Sequence, residues 1–208
     1  MADMIMLLGK TSSGKTTSLR NLPSASTVVL TSTAKRLSIS GLQRVYCKDT
    51  PTILNWIKQC AVNPKVKYLV LDDLMFDSVD ALFTKIKEKG FDKWTELAFN
   101  IYIVIKAIEA IDRDDLVVVV VQHMDVDPTT YQKQIKCVSK VVREQCPIEG
   151  YFNVVVEAYR EAGEYLFKLK GEDDTDLAKS PLGMFDDFTM DNDMMKVIEG
   201  YKKFYGMK

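Results

Sequence analysis

No sulfur framework is visible in this chain. Its four cysteines, Cys47, Cys60, Cys137 and Cys146, form neither a C-x-x-C pair nor a disulfide set. Free thiols in a reducing compartment are expected. Charge of one sign is also missing. The 28 basic and 29 acidic residues leave a net charge of −1, so the overall balance does not mark a nucleic-acid binder, and any such contact must be a local patch. The opening Met1-Ala2-Asp3 lacks the basic region of a signal peptide. The longest later apolar run, 116–121, is far too short to span a bilayer. No internal repeat appears. With 47% hydrophobic residues, the chain suits a single domain, 1–208, with a real core, and a cytoplasmic protein with no membrane contact is expected.

What is present begins at once. The apolar run Met4-Ile5-Met6-Leu7-Leu8 leads into Gly9-Lys10-Thr11-Ser12-Ser13-Gly14-Lys15-Thr16-Thr17. This is G-x-x-x-x-G-K-T, placed after a predicted strand and before a predicted helix over 15–21, the context a phosphate-binding loop requires. The glycines permit a tight loop and close approach of backbone to phosphate. Successive N–H groups make an anion nest. Lys15 is expected to reach terminal phosphates, and Thr16 to offer its hydroxyl to Mg²⁺, which prefers hard oxygen ligands.

Further along, strands are predicted at 27–31 and 67–71, with a short edge strand at 43–47. A helix starts at Asp49-Thr50-Pro51 and buries Ile53, Leu54, Ile57 and Ala61. A long helical region follows Asp73 and breaks near Gly90. In it Leu97, Ala98, Ile101, Ile105, Ile108 and Ile111 keep helical spacing. Residues 116–121 read as a buried parallel strand, with Gln122-His123 at its end and a polar turn over 125–131. The segment 135–142 fits helix or strand. A hairpin is expected from 152–159 and 164–170, then a polar loop over 171–180. Asn192 or Asp193 caps a last helix that runs to about Tyr205. Alternating strands and helices predict an α/β fold, a mostly parallel sheet flanked by helices, with a C-terminal hairpin and terminal helix.

In such a sheet, ligands bind beyond the carboxyl ends of the strands. Gly9–Thr17, Asp72, Asp73, Gln122 and His123 all fall at such ends. Asp72 is the expected Mg²⁺ partner. Asp73 either orients the attacking water or caps the next helix. Of Gln122 and His123, one should face the phosphates, because neighbours on a strand point to opposite sides. Lys35, Arg36 and Lys179 are candidates for a second cation against the phosphates, or are solvated surface charges. Lys133, Lys136, Lys140 and Arg143 share one face if their segment is helical, which makes a DNA-contact patch or a solvated face.

Taken together, Gly9 to Leu22, Leu69-Val70-Leu71-Asp72-Asp73, Lys87 to Lys93 and Ala178-Lys179-Ser180-Pro181-Leu182-Gly183-Met184-Phe185 carry a resemblance. The sequence resembles the single-domain RecA-like ATPases of bacteriophages, classed with AAA-type ATP-binding proteins and found in or beside recombination and single-strand-annealing modules. The resemblance implies ATP and Mg²⁺ as cofactors, catalytic roles for Lys15, Asp72, Asp73, Gln122, His123 and Lys179, and ATP hydrolysis coupled to single-stranded DNA. It also implies self-association, with Lys179 reaching the nucleotide of an adjacent subunit. Phage single-strand-binding or replication proteins are implied partners, in the host cytoplasm. Two features depart from the pattern. Gln122-His123-Met124-Asp125 stands where Thr-His and a nearby Glu are usual, and 32–36 has no acid where a catalytic Glu is common. A slowly hydrolysing switch that loads or regulates a replication protein is therefore the alternative. A small-molecule kinase is a third reading, opposed by the acidic, arginine-free stretch 171–180.

Overall fold

The computed structural model describes residues 2–73, 75–85, 87, 90, 92–137 and 147–207. Runs of β-branched and apolar residues supply the central strands: β1 (Asp3–Gly9), β2 (Thr27–Thr31), β4 (Tyr68–Asp72), β5 (Val117–Val126) and β7 (Val154–Glu161). β3 (Gln43–Tyr46), β6 (Lys133–Ile135), β8 (Glu164–Lys168) and β9 (Thr189–Asp191) complete the sheet. Its order is β3-β2-β4-β5-β1-β7-β8-β9, with β6 paired to β5 alone. Pairing is parallel from β3 to β7 and antiparallel at β7–β8, β8–β9 and β5–β6.

Period-two alternation divides the core between the two faces. In β1, Met4, Met6 and Leu8 join Ile53 and Ile57 of α1 (Thr50–Val62) and Ile101, Ile105 and Ile108 of α3 (Asp92–Glu109). Ile5 and Leu7 face the other way, toward Leu19, Leu22 and the Val197, Ile198 and Tyr201 face of α4 (Met194–Tyr205). Helices therefore flank both faces of a mixed α/β sheet, and a helix closes the chain. α2 (Met75–Thr84) packs on α3. Among the described residues, no helix is long and apolar enough to cross a membrane.

Local signals explain most boundaries. Asp49 caps α1 by accepting from the Thr52 N–H at 2.9 Å, with Pro51 in the first turn. Asp193 caps α4 and Gly206, at φ 67°, ends it. β7 and β8 join through Ala162 and Gly163, both at positive φ, as a two-residue hairpin turn demands. Ion pairs hold the loop after β8. Lys133 contacts Glu157 at 2.7 Å and also Asp176, which in turn binds Lys168 at 3.2 Å.

Four expectations are corrected. No α-helix covers 15–21; a 3₁₀ turn occupies Thr17–Asn21. The Ser18 hydroxyl donates back to the Lys15 carbonyl at 2.6 Å, a bond that competes with helix, and Pro23 forces Leu22 into extended backbone. β5 does not stop at Val121 but continues to Val126, because β6 pairs with Met124–Val126. Residues 122–126 are thus strand, and the turn lies beyond them. β6 also removes Lys133 from any helical basic face and turns it toward Glu157 and Asp176. Most of 135–142, with Lys140, Arg143 and Cys146, lies outside the described residues. Lastly, Leu54 and Ala61 of α1 are only partly buried, and Cys60 is the third deeply buried position beside Ile53 and Ile57. Cys47 and Cys60 are buried and Cys137 is half-buried.

Candidate functional site

Parallel pairing brings the carboxyl ends of the strands to one rim. Gly9 lies opposite His123 on one side and Ala158 on the other, and Asp72 lies opposite Thr31 and Val121. From this rim the segment Gly9–Thr17 arches as a loop. Ser12 at φ 63° and Gly14 at φ 91° provide its left-handed turns, and alternating handedness of this kind aims backbone N–H groups into one concavity. Gly9 is required for another reason. A β-carbon there would stand 2.6 Å from the Ala158 carbonyl and against the Ser13 hydroxyl. Lys10, Thr11 and Ser12 are exposed, Ser13 is buried, and Thr16 and Thr17 are half-buried.

Lys15 is 6% exposed. Its ammonium donates to the carbonyls of Gly9 and Lys10, both at 2.9 Å, and lies 3.5 Å from Nδ1 of His123. Burial lowers its pKa to about 8, although Asp73 and Asp72 pull the other way. The imidazole Nε2 of His123 lies 3.0 Å from Oδ1 of Asp73. With Lys15 as a donor to Nδ1, the proton of neutral His123 sits on Nε2 and is given to Asp73. Asp73 itself sits at φ 60°, a left-handed conformation that turns its carboxylate toward His123. Lys35, from the segment after β2, reaches Asp73 at 3.5 Å. Burial alone would raise the Asp73 pKa, but the His123 hydrogen bond and the neighbouring cations hold it below the ordinary value.

Asp72 differs from its neighbour. Burial, and the charge of Asp73, raise its carboxyl to about 6. Its Oδ2 accepts from the Thr16 hydroxyl at 3.3 Å, while Oδ1 is buried without a partner. Two hard oxygens, one of them unsatisfied, suit a small dication that completes its shell with water and ligand phosphate. Among the described residues there is no cluster of three or more metal-binding side chains.

Gln122 and His123 separate as strand alternation requires. Gln122 is 2% exposed, with its Oε1 unpartnered, and shares the face of Val120 and Met124, which join the α1–α3 core. His123 lies on the loop side. A cleft of about 310 Å³ is lined by residues 11–17 with Lys35, Ser38, Asp73, His123 and Tyr165. Lys179 is not part of it. Its backbone bridges to Val155, with both hydrogen bonds at 2.9 Å, and Val155 is level with Met6, three residues short of Gly9. The Lys179 side chain is exposed on the molecule's flank. Arg36 is exposed and does not line the cleft.

Sequence reasoning missed Tyr165, Ser38 and Asn192. Tyr165 reaches the loop only because the β7–β8 hairpin folds back, and Asn192 only because β9 pairs with β8. Neither residue belongs to a motif, and β9, three residues long, has no periodic signal. No protein-family model matches the chain, and no curated protein sequence matches it either.

Proposed function

We propose that this chain is a Mg²⁺-dependent ATPase with a RecA-like P-loop fold that assembles on single-stranded DNA. The observation that carries this reading is the convergence around Lys15: the loop, Thr16 and the His123–Asp73 pair at 3.0 Å line one cleft, and Asp72, which accepts from Thr16 at 3.3 Å, lines the smaller pocket beside it that shares Thr16, Lys35 and Ser38. The sheet order supports it. β5 separates the loop strand β1 from the acid-bearing strand β4, so His123 stands between the loop and the acids.

Mg²⁺ would be held by Thr16 and Asp72, and when bound would neutralise charge on the phosphate oxygens. The protein's own residues do the rest. The backbone N–H groups of 11–16 bind the phosphates. Lys15 releases the carbonyls of Gly9 and Lys10 and places its charge against the terminal phosphoryl group. Asp73 orients the attacking water and accepts its proton. His123 is a positioning residue, because its Nε2–H fixes the rotamer of Asp73. Lys35 adds a second cation from within the chain, and Lys179, exposed on the flank, is available to the cleft of a neighbouring copy. The role on DNA and the association with phage replication or single-strand-binding proteins rest on the sequence resemblance.

The test is phosphate release from ATP with Mg²⁺, with and without single-stranded DNA, across protein concentration, using Lys15→Ala as the blank. Turnover that rises with both DNA and protein concentration is expected. ATP binding without turnover would replace this reading with a nucleotide-dependent switch. That second reading has its own support, since 32–36 carries no acid and Asp73 is already engaged by His123 and Lys35.

A further inference from the structure

The cleft over the loop has two chemically different ends. At one end stand Asp73, His123 and Lys35; at the other, across Gly14, stands Tyr165 of β8. The two ends lie on opposite sides of β1, because β5 and β4 are on one side and β7 and β8 on the other. A ligand whose charged terminus meets Asp73 and Lys15 therefore extends its other end toward Tyr165.

That end is built for a flat heterocycle. Tyr165 is 41% exposed, and its Cδ1 lies 2.8 Å from the point where a β-carbon on Gly14 would stand. The Arg160 guanidinium lies 5.2 Å from the ring centroid. An exposed aromatic face with a cation against it is a stacking platform for a base. Beside it is Asn192, opposite Tyr165 when the β8–β9 register, Leu166 to Asp191, is extended by one residue. Asn192 is 3% exposed, and both its carboxamide oxygen and nitrogen lack partners. Both atoms lie 3.2 Å from the same point on Gly14. A buried amide with neither atom satisfied is rare in a folded protein. Asn192 does not itself line the cleft, so a ligand would reach it only if Tyr165, its cross-strand neighbour, changed rotamer.

We infer that Tyr165 and Asn192 form the base-binding end of the site and take a purine. The base stacks on Tyr165, and the Asn192 carboxamide pairs with one edge of it. One donor and one acceptor match the amino group and ring nitrogen that adenine presents side by side. Guanine presents its N1–H and O6 side by side, so the same carboxamide, flipped, pairs with either purine. The two carboxylates flanking Asn192 are engaged elsewhere: Asp191 pairs with Lys196, and Asp193 accepts from Asn21 and from the Met195 N–H. This inference rests on the loop being a triphosphate site, and its test separates the two.

Binding of Mg²⁺ complexes of ATP, GTP and inorganic tripolyphosphate is measured by calorimetry on the full chain, as wild type, Tyr165→Ala, Tyr165→Phe, Asn192→Leu and Lys15→Ala. Wild type is expected to bind ATP about tenfold or more tightly than tripolyphosphate, the range of one stacked base. Tyr165→Ala should lose that advantage and still bind tripolyphosphate, while Tyr165→Phe should keep it. Asn192→Leu, near-isosteric, should weaken ATP and GTP about tenfold, the worth of one paired edge, and leave tripolyphosphate unchanged. Equal ATP affinity in wild type and Tyr165→Ala would overturn the base assignment and leave the triphosphate site standing. An Asn192→Leu variant that keeps wild-type affinity for both ATP and GTP would overturn the role of Asn192. A wild type that binds neither ATP nor tripolyphosphate would overturn both readings.

Discussion

Lys15 holds its charge where water scarcely reaches it, and two of its N–H donors are occupied by the carbonyls of Gly9 and Lys10. A buried ammonium of this kind costs stability relative to an apolar side chain. Lys15→Ala is therefore expected to keep the fold, with a melting temperature within about 4 °C of wild type, the shift that ~1 kcal/mol produces at this chain length. The same variant should show no measurable ATP binding by calorimetry. If it melts early, the lysine is a structural tie and the loss of binding says nothing about phosphate. His123 gives a second prediction at this scale. Without its imidazole, Asp73 keeps its charge and its contact with Lys35 but loses the donor at 3.0 Å that fixes its rotamer. His123→Ala should lower kcat about a hundredfold, as a misplacement of about 1 Å does, with KM little changed. Gln122→Ala, on the opposite face of β5, should leave kcat near wild type. Steady-state kinetics across ATP concentration distinguishes these outcomes.

Elements position these side chains, and two of them can be tested directly. β1 and β7 approach so closely at Gly9 that a methyl group would meet the Ala158 carbonyl at 2.6 Å. Gly9→Ala should cost about 2 kcal/mol in urea unfolding, the usual range for overpacking, and should weaken ATP binding by shifting the loop. The loop after β8 hangs on Asp176. Burial works against its ionisation, but the Glu172 N–H and the ammonium groups of Lys133 and Lys168 more than offset it and bring the pKa down to about 2. A carboxylate with a depressed folded-state pKa contributes stability above its unfolded value, near 3.8. That contribution is lost as the pH falls toward 2. Asp176→Asn should cost about 2 kcal/mol at neutral pH, as loss of charge-assisted hydrogen bonds does, and its deficit relative to wild type should vanish by pH 2. Urea titrations at several pH values test this. Sequence alone was informative for elements whose signals are local: the valine run of β5, the Asp49 cap with Pro51, the Ala162-Gly163 turn and the Asp193 cap. It failed where a partner decides the outcome. β6 and β9 are three residues each and exist because β5 and β8 offer edges. The 15–21 helix was lost to a serine hydroxyl competing for the backbone.

At the scale of the whole molecule, the sheet order sorts charge along the rim. The acids, His123 and Lys35 gather on the β4–β5 side, and Tyr165 with Asn192 on the β8–β9 side. The first group was legible in the sequence because the acids and His123 directly follow apolar strand runs and Lys35 lies in the segment after β2. The second was not, because antiparallel return brings distant residues together without a motif. Lys179 belongs to this scale too. Its backbone is fixed to Val155 while its side chain is exposed on the flank, so truncation leaves the fold untouched. Lys179→Ala should assemble as wild type does in sedimentation velocity, yet lose at least about tenfold in turnover per chain, since a cation supplied in trans is worth that and more. Full turnover by the assembled variant would remove Lys179 from the reaction.

One strand runs through both ends of this description. β5 is paired with β4 up to Val121 and with β1 up to His123, then leaves the central layer and continues to Val126 beside β6. The Lys136 N–H donates to the His123 carbonyl at 2.8 Å, so the histidine that touches Asp73 is also bonded to the outer hairpin. An extended strand has no joint; over three residues it is a rod of about 10 Å. Tyr131, in the turn just beyond Val126, is 73% exposed, so a spectroscopic label at that position would sit on solvent-facing backbone only a few residues along the strand from His123.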